Sequence, residues 1–149
     1  MNSLKVKTGI GMALLCLFAM TLATGIILHL KKHGIVVEPR NVIKIIHWLG
    51  GFAMTFLACL HGKHFWTVLV NRLKKHTISS VNALILITFV AATTITGLVK
   101  LVSPVKIQGL GLWHYWLGMI MSASVMIHIL RGIPMLVKMI KASRKAHSS

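Results

Sequence analysis

Four apolar stretches, each long enough to cross a bilayer as a helix, dominate the chain. A span needs ~20 such residues. The first is Thr8 to Leu30, with Lys5 and Lys7 before it and Lys31 and Lys32 after it. The second starts after Pro39, runs from about Val42 to Leu60, and continues as a more polar helix to Lys74-Lys75-His76. The third is Ile78 to Val102, ended by Ser103-Pro104. The fourth is Leu110 to Leu130, followed by a basic amphipathic tail from Arg131 to Lys145. A backbone in hydrocarbon must satisfy its own hydrogen bonds, and these runs lack period-2 alternation, so helices are expected and strands are not. The expected fold is all-α: one integral membrane four-helix bundle with helices at about 8–30, 41–75, 78–102 and 110–142. Basic amphipathic extensions follow helices 2 and 4. The first run is too long for a signal-peptide core and lacks a clear small-residue cleavage site, so it is expected to remain as a span.

Charge narrows the function classes. Lys and Arg number 17 against a single acid, Glu38, for a formal net charge of +16. A nucleic-acid binder would carry such cations on a polar surface. Here apolar residues make up 56% and mean hydropathy is +0.80, so the cations read as membrane-face anchors and lipid contacts. One acid excludes paired-carboxylate hydrolysis, a di-iron carboxylate cage and an Asp-based triad. Any chemistry falls to the nine His residues. With four spans, the N-terminal, middle-loop and C-terminal side holds eleven cations: Lys5, Lys7, Lys63, Arg72, Lys74, Lys75, Arg131, Lys138, Lys141, Arg144 and Lys145. The other side holds six: Lys31, Lys32, Arg40, Lys44, Lys100 and Lys106. The excess puts both termini in the cytoplasm of a multi-pass inner-membrane protein.

The chain also repeats itself, in halves of about 8–76 and 78–147. Thr24-Gly25 near the outer end of span one matches Thr96-Gly97 in span three. In span two, His47 is followed by Gly51 and His61; in span four, His114 is followed by Gly118 and His128. Both even spans thus keep the same two spacings, which points to a pseudo-two-fold bundle with its functional groups at the repeat interface. Fourteen residues at ~100° each fall about 40° short of four turns, so both His of a helix share a face, ~21 Å apart along the axis. Spans two and four run parallel, so His47 is level with His114 and His61 with His128.

Imidazole is a good haem ligand, and two facing His at one depth supply both axial ligands of a b-type haem. Gly51 and Gly118, and Gly25 and Gly97 from the odd spans, would leave room for a flat macrocycle, or would serve as close helix-packing positions. Lys63, His64 and Arg131 are placed for the inner haem's propionates, and Lys44, with His29 or Lys100, for the outer one's. Interhelical polar contacts and Zn or Cu binding are other uses of membrane His, though two His per level without carboxylate or thiol make a poor tetrahedral site. Cys16 and Cys59 read as packing residues, His33 as a loop group, and His64, His76 and His147 as interfacial. Without C-x-x-C-H, covalent haem is excluded. Trp48, Trp66, Trp113, Tyr115 and Trp116 fall near span ends, where aromatic belts form.

The His47/His61 and His114/His128 pairs resemble the di-haem core of membrane cytochromes b. The Thr-Gly near an odd helix end, the early His in Ile46-His47-Trp48-Leu49-Gly50-Gly51, and the late His with Trp66 downstream resemble the small four-helix flavinylation-associated cytochrome family. The likeness spans the first helix to about Lys138. It implies two haem b groups and transmembrane electron transfer, towards flavin-bearing or multihaem proteins outside the cytoplasm. Quinone or quinol is a further partner, although no carboxylate is present to take a quinol proton. Nucleic acid is not expected. In the second copy Gly132 and Ile133 replace the downstream aromatic. The chain reads as an electron-transfer subunit of an oxidoreductase system. A metal-ion or haem transporter with a His relay, and a non-redox membrane anchor, are the other readings the same residues allow.

Overall fold

The computed structural model describes residues 3–30, 33–35, 37–75 and 78–145. Those residues form four α-helices and no strand: α1 (Ser3–Leu30), α2 (Arg40–Lys74), α3 (Ile78–Val102) and α4 (Leu110–Lys145). The expected boundaries hold to within a few residues, except that α1 starts earlier, at Ser3. Each helix contains a stretch long and apolar enough to cross a membrane. At ~1.5 Å per residue, α2 and α4 are ~50 Å long, well beyond a bilayer core of ~30 Å, so both carry the expected extensions. Pro134 lies inside α4, at the end of the apolar span, and the helix continues through it to Lys145.

Local chemistry sets the helix starts. Glu38, the single acid, accepts the Arg40 backbone N–H at 2.9 Å, and the Pro39 carbonyl accepts from Ile43. A carboxylate there also suits the positive end of the helix dipole. Before α4, Gly109 takes φ +80°, a region where L side chains are strained, and its carbonyl accepts from Leu112 and Trp113.

Packing is uneven in a way that follows the repeat. The backbone of α1 lies against α2 and that of α3 against α4; α2 meets α3 less closely, and α1 only touches α4. No described Cα of α2 comes within 8 Å of one in α4, and the same holds for α1 and α3. The four helices therefore form a ring with α2 and α4 on one diagonal. Little large apolar matter is buried inside it: among the described residues Phe18 and Met121 are the buried hydrophobics, accompanied by Thr21, Ser80, Ser122 and Ser124. The large apolar side chains face outward instead, among them Leu49, Phe56, Ile95 and Leu130, all at least 60% exposed. Cys16 and Cys59, read as packing residues of apolar spans, lie on exposed helix faces. All-round apolar helices give no sequence clue to which face turns inward.

α1 packs tightly against α2 at Gly50, the buried residue of α2. A Cβ built there would lie 2.5 Å from Met20 Cε and 2.8 Å from Thr21 Cγ2. The corresponding position of the second half is Leu117, so the two hairpins are packed differently at this level.

Candidate functional site

The helix diagonal brings the expected histidines together in pairs. His47 and His114 have ring centroids 6.1 Å apart, and His61 and His128 6.3 Å apart. Each pair takes one ring from each half and reaches across the gap between α2 and α4. The rings meet edge-on, with planes at 86° and 78°. With metal–imidazole bonds of ~2.0–2.1 Å and a nitrogen ~1.1 Å from its ring centre, two imidazoles on opposite sides of one metal have centroids about 6.4 Å apart. Both pairs meet that separation. Among the described residues no three His, Cys, Asp or Glu side chains gather at one point, so each level offers two protein ligands.

The outer pair is held from behind. His47 Nδ1 is 3.1 Å from the Thr21 carbonyl and 3.1 Å from Thr24 Oγ1. His114 Nδ1 is 3.0 Å from Thr96 Oγ1, and the Thr93 backbone also reaches that ring. A carbonyl only accepts, so His47 Nδ1 carries the hydrogen and Nε2 keeps the lone pair. Metal-binding His residues are held by this type of contact, which fixes ring orientation and tautomer. The glycines divide by role. Gly25 and Gly97 face the imidazoles: a Cβ on either would lie 3.1 Å from the ring Cε1 of His47 or His114. The space beside each of these two glycines is occupied by an imidazole ring. Gly51 and Gly118 have no atom within 4 Å of a built Cβ, so there the gap is open.

The inner pair lacks that clasp. His61 Nδ1 is buried with no hydrogen-bond partner among the described residues. Its ring lies 4.7 Å from that of Phe65, while Trp66, the aromatic singled out in the sequence, is 60% exposed. The position matching Phe65 in the second half is Gly132. Lys63, His64 and Arg131 are exposed within one turn of His61 or His128, and Lys44 is half-buried one turn outward of His47.

Some contributors were not legible at first reading. Thr21 and Thr24 belong to a Thr-x-x-Thr-Gly motif that recurs as Thr93 to Gly97, a signal present in the chain. Thr55 and Ser122, each eight residues after the outer His, donate to the Gly51 and Gly118 carbonyls at 2.9 and 2.8 Å. Arg40 lies two turns before His47 on the same face, ~10 Å outward, and its Nε is buried without a hydrogen-bond partner among the described residues. His29 is part of the outer end: its ring stacks on Tyr115 at 3.6 Å and 9°, and meets His33 at 5.6 Å.

The glycine clearance carries an expected outcome. Gly97→Val forces a branched side chain into the His114 ring and should cost about 1–3 kcal/mol of local packing. The variant is expected to melt at lower temperature than the parent in detergent, measured by circular dichroism.

No family model matches this chain, and no curated protein or solved structure is similar to it.

Proposed function

We propose that this chain is a multi-pass membrane protein that carries electrons across the bilayer on two b-type haems, the outer held by His47 and His114 and the inner by His61 and His128. The observation that carries this reading is the pair of inter-ring separations, 6.1 and 6.3 Å, between helices whose backbones stay apart. Iron in a bis-imidazole macrocycle supplies reversible one-electron exchange when bound. The chain's own part is mechanical and electrostatic. α2 and α4 hold the rings level, and the exposed apolar faces of all four helices suit lipid. Gly51 and Gly118 keep the gap open. Arg40 and Lys44 at the outer end, and Lys63, His64 and Arg131 at the inner end, offer charge-assisted donors for propionate carboxylates. Four propionates per chain would offset part of the +16 charge.

Both termini lie on the cytoplasmic side in this reading, since eleven cations fall on that side against six. The outer end then faces an extracytoplasmic flavin-bearing or multihaem redox protein, and quinol is a candidate donor. The chain acts as an electron-transfer subunit, with catalysis in its partner.

The deciding experiment is an absorption spectrum and pyridine haemochrome assay on the full chain purified in detergent. A Soret band that sharpens on reduction, with about two haems b per chain, is expected. Transient metal binding without a Soret band would favour a transporter with a His relay. Function retained after removal of any one His would favour a simple anchor.

A further inference from the structure

We propose that Thr24 and Thr96 are positioning residues that set the redox potential of the outer centre apart from that of the inner one. They do so by fixing the Nδ1 side of both outer imidazoles. The inference rests on the two-haem reading, and its test is arranged so that the two can fail separately.

The hydrogen-bond count on each threonine decides its role. Thr24 Oγ1 lies 2.8 Å from the Met20 carbonyl and 3.1 Å from the Thr21 carbonyl. A hydroxyl has one hydrogen, and it is directed to these carbonyls. Towards His47, 3.1 Å away, the oxygen therefore accepts, and His47 Nδ1–H donates. The Thr21 carbonyl, also 3.1 Å from Nδ1, imposes the same tautomer independently. Thr96 repeats the pattern. Its Oγ1 lies 2.9 Å from the Ala92 carbonyl, 3.0 Å from the Thr93 carbonyl and 3.0 Å from His114 Nδ1. Gly25 and Gly97 close each clasp by allowing the ring to within 3.1 Å of where a Cβ would stand.

An imidazole that donates from Nδ1–H is the more basic ligand at Nε2. A more basic ligand favours the oxidised metal and lowers the potential. On the inner level, His61 Nδ1 has no such acceptor among the described residues. The repeat thus places the same ligand type at both levels and supports it differently, so the two centres are built unlike.

The test uses the full-length holoprotein and the double variant Thr24→Val/Thr96→Val, which removes the hydroxyl acceptor at each outer ring, leaves the Thr21 carbonyl at His47, and nearly keeps side-chain volume. In a spectroelectrochemical titration the outer wave is expected to shift to higher potential and the inner wave to stay. A His61→Ala background, which leaves only the outer centre, assigns the waves. Thr24→Ser/Thr96→Ser keeps the hydroxyls and should restore the original potential, an outcome a merely structural role does not require. An outer wave that does not move, or two waves that move together, overturns the proposal. Nitrogen NMR of ring-labelled, haem-free protein supplies a second readout. His47 and His114 should carry hydrogen on Nδ1 and keep it in the valine variant, held by the Thr21 carbonyl and the Thr93 backbone, with ring-nitrogen shifts that move as the hydroxyl acceptor is lost. Hydrogen found on Nε2 overturns the clasp whether or not haem binds. A chain that takes up no haem overturns the two-haem reading and the potential claim with it, and the NMR result then decides the clasp alone.

Discussion

In the two-haem reading, His61→Ala is expected to lower the haem content of the purified protein from about two per chain to about one, and His128→Ala to do the same. The two rings face each other at 6.3 Å, and in the two-haem reading both would be needed to hold the inner group, so removing either should release it. The double variant His61→Ala/His128→Ala should lose no more than either single one, the non-additivity expected of groups that act as a unit. The contrast is His47→Ala/His61→Ala, which takes one ring from each level and should leave no haem. These two doubles separate pairing across α2 and α4 from pairing along one helix, which ~21 Å of axial distance forbids. Haemochrome content per chain reads the result, and far-ultraviolet circular dichroism checks that the helices persist. Unchanged loading in the single variants would sink the assignment.

The next largest effect falls on a residue that touches no ligand. Gly50→Val drives a branched side chain into Met20 and Thr21. Met20 can turn aside. Thr21 cannot do so cheaply, because its hydroxyl bonds the Leu17 and Phe18 carbonyls and meets Met54 Sδ, while its own carbonyl holds His47. Overpacking of this kind costs about 1–3 kcal/mol, and more for a β-branched group. The variant should melt at lower temperature in detergent and, in the two-haem reading, should release the outer haem before the inner one. At Leu117, the matching position of the second half, conservative substitution to Met should have little effect. Equal loss from both levels in the Gly50 variant would contradict the coupling through Thr21.

The helices and the histidine levels were legible because each depends on a simple periodicity. Four long apolar runs leave little choice of backbone, and fourteen-residue spacing puts His47 and His61 on one face whatever the neighbours do. The support behind the rings was harder to read. A threonine in an apolar helix ordinarily returns its hydroxyl to its own i−4 carbonyl, and Thr24 and Thr96 do so while also meeting a ring. Nothing in either residue alone marks the second contact. The role of Gly25 was hidden for another reason: α1 is apolar on every side, so its rotation, and hence the neighbour that fills the space at Gly25, is not encoded in amphipathicity. Arg40 was passed over because a cation at a span end usually meets water or a headgroup. Its buried Nε is a property of the folded end of α2.

Each hairpin supplies one ring to each level and none of the levels in full. Two copies of a single ancestral hairpin, meeting on a two-fold axis, would complete both sites with identical halves. In such a homodimer any substitution appears twice, so the halves cannot specialise. Joining them in one chain removes that restraint. The two halves of the present chain differ in this way: Gly50 opposite Leu117, Phe65 opposite Gly132, and a His29–Tyr115 stack at one outer corner. A single chain thus lets the two rings of one level have unlike surroundings, which identical halves could not.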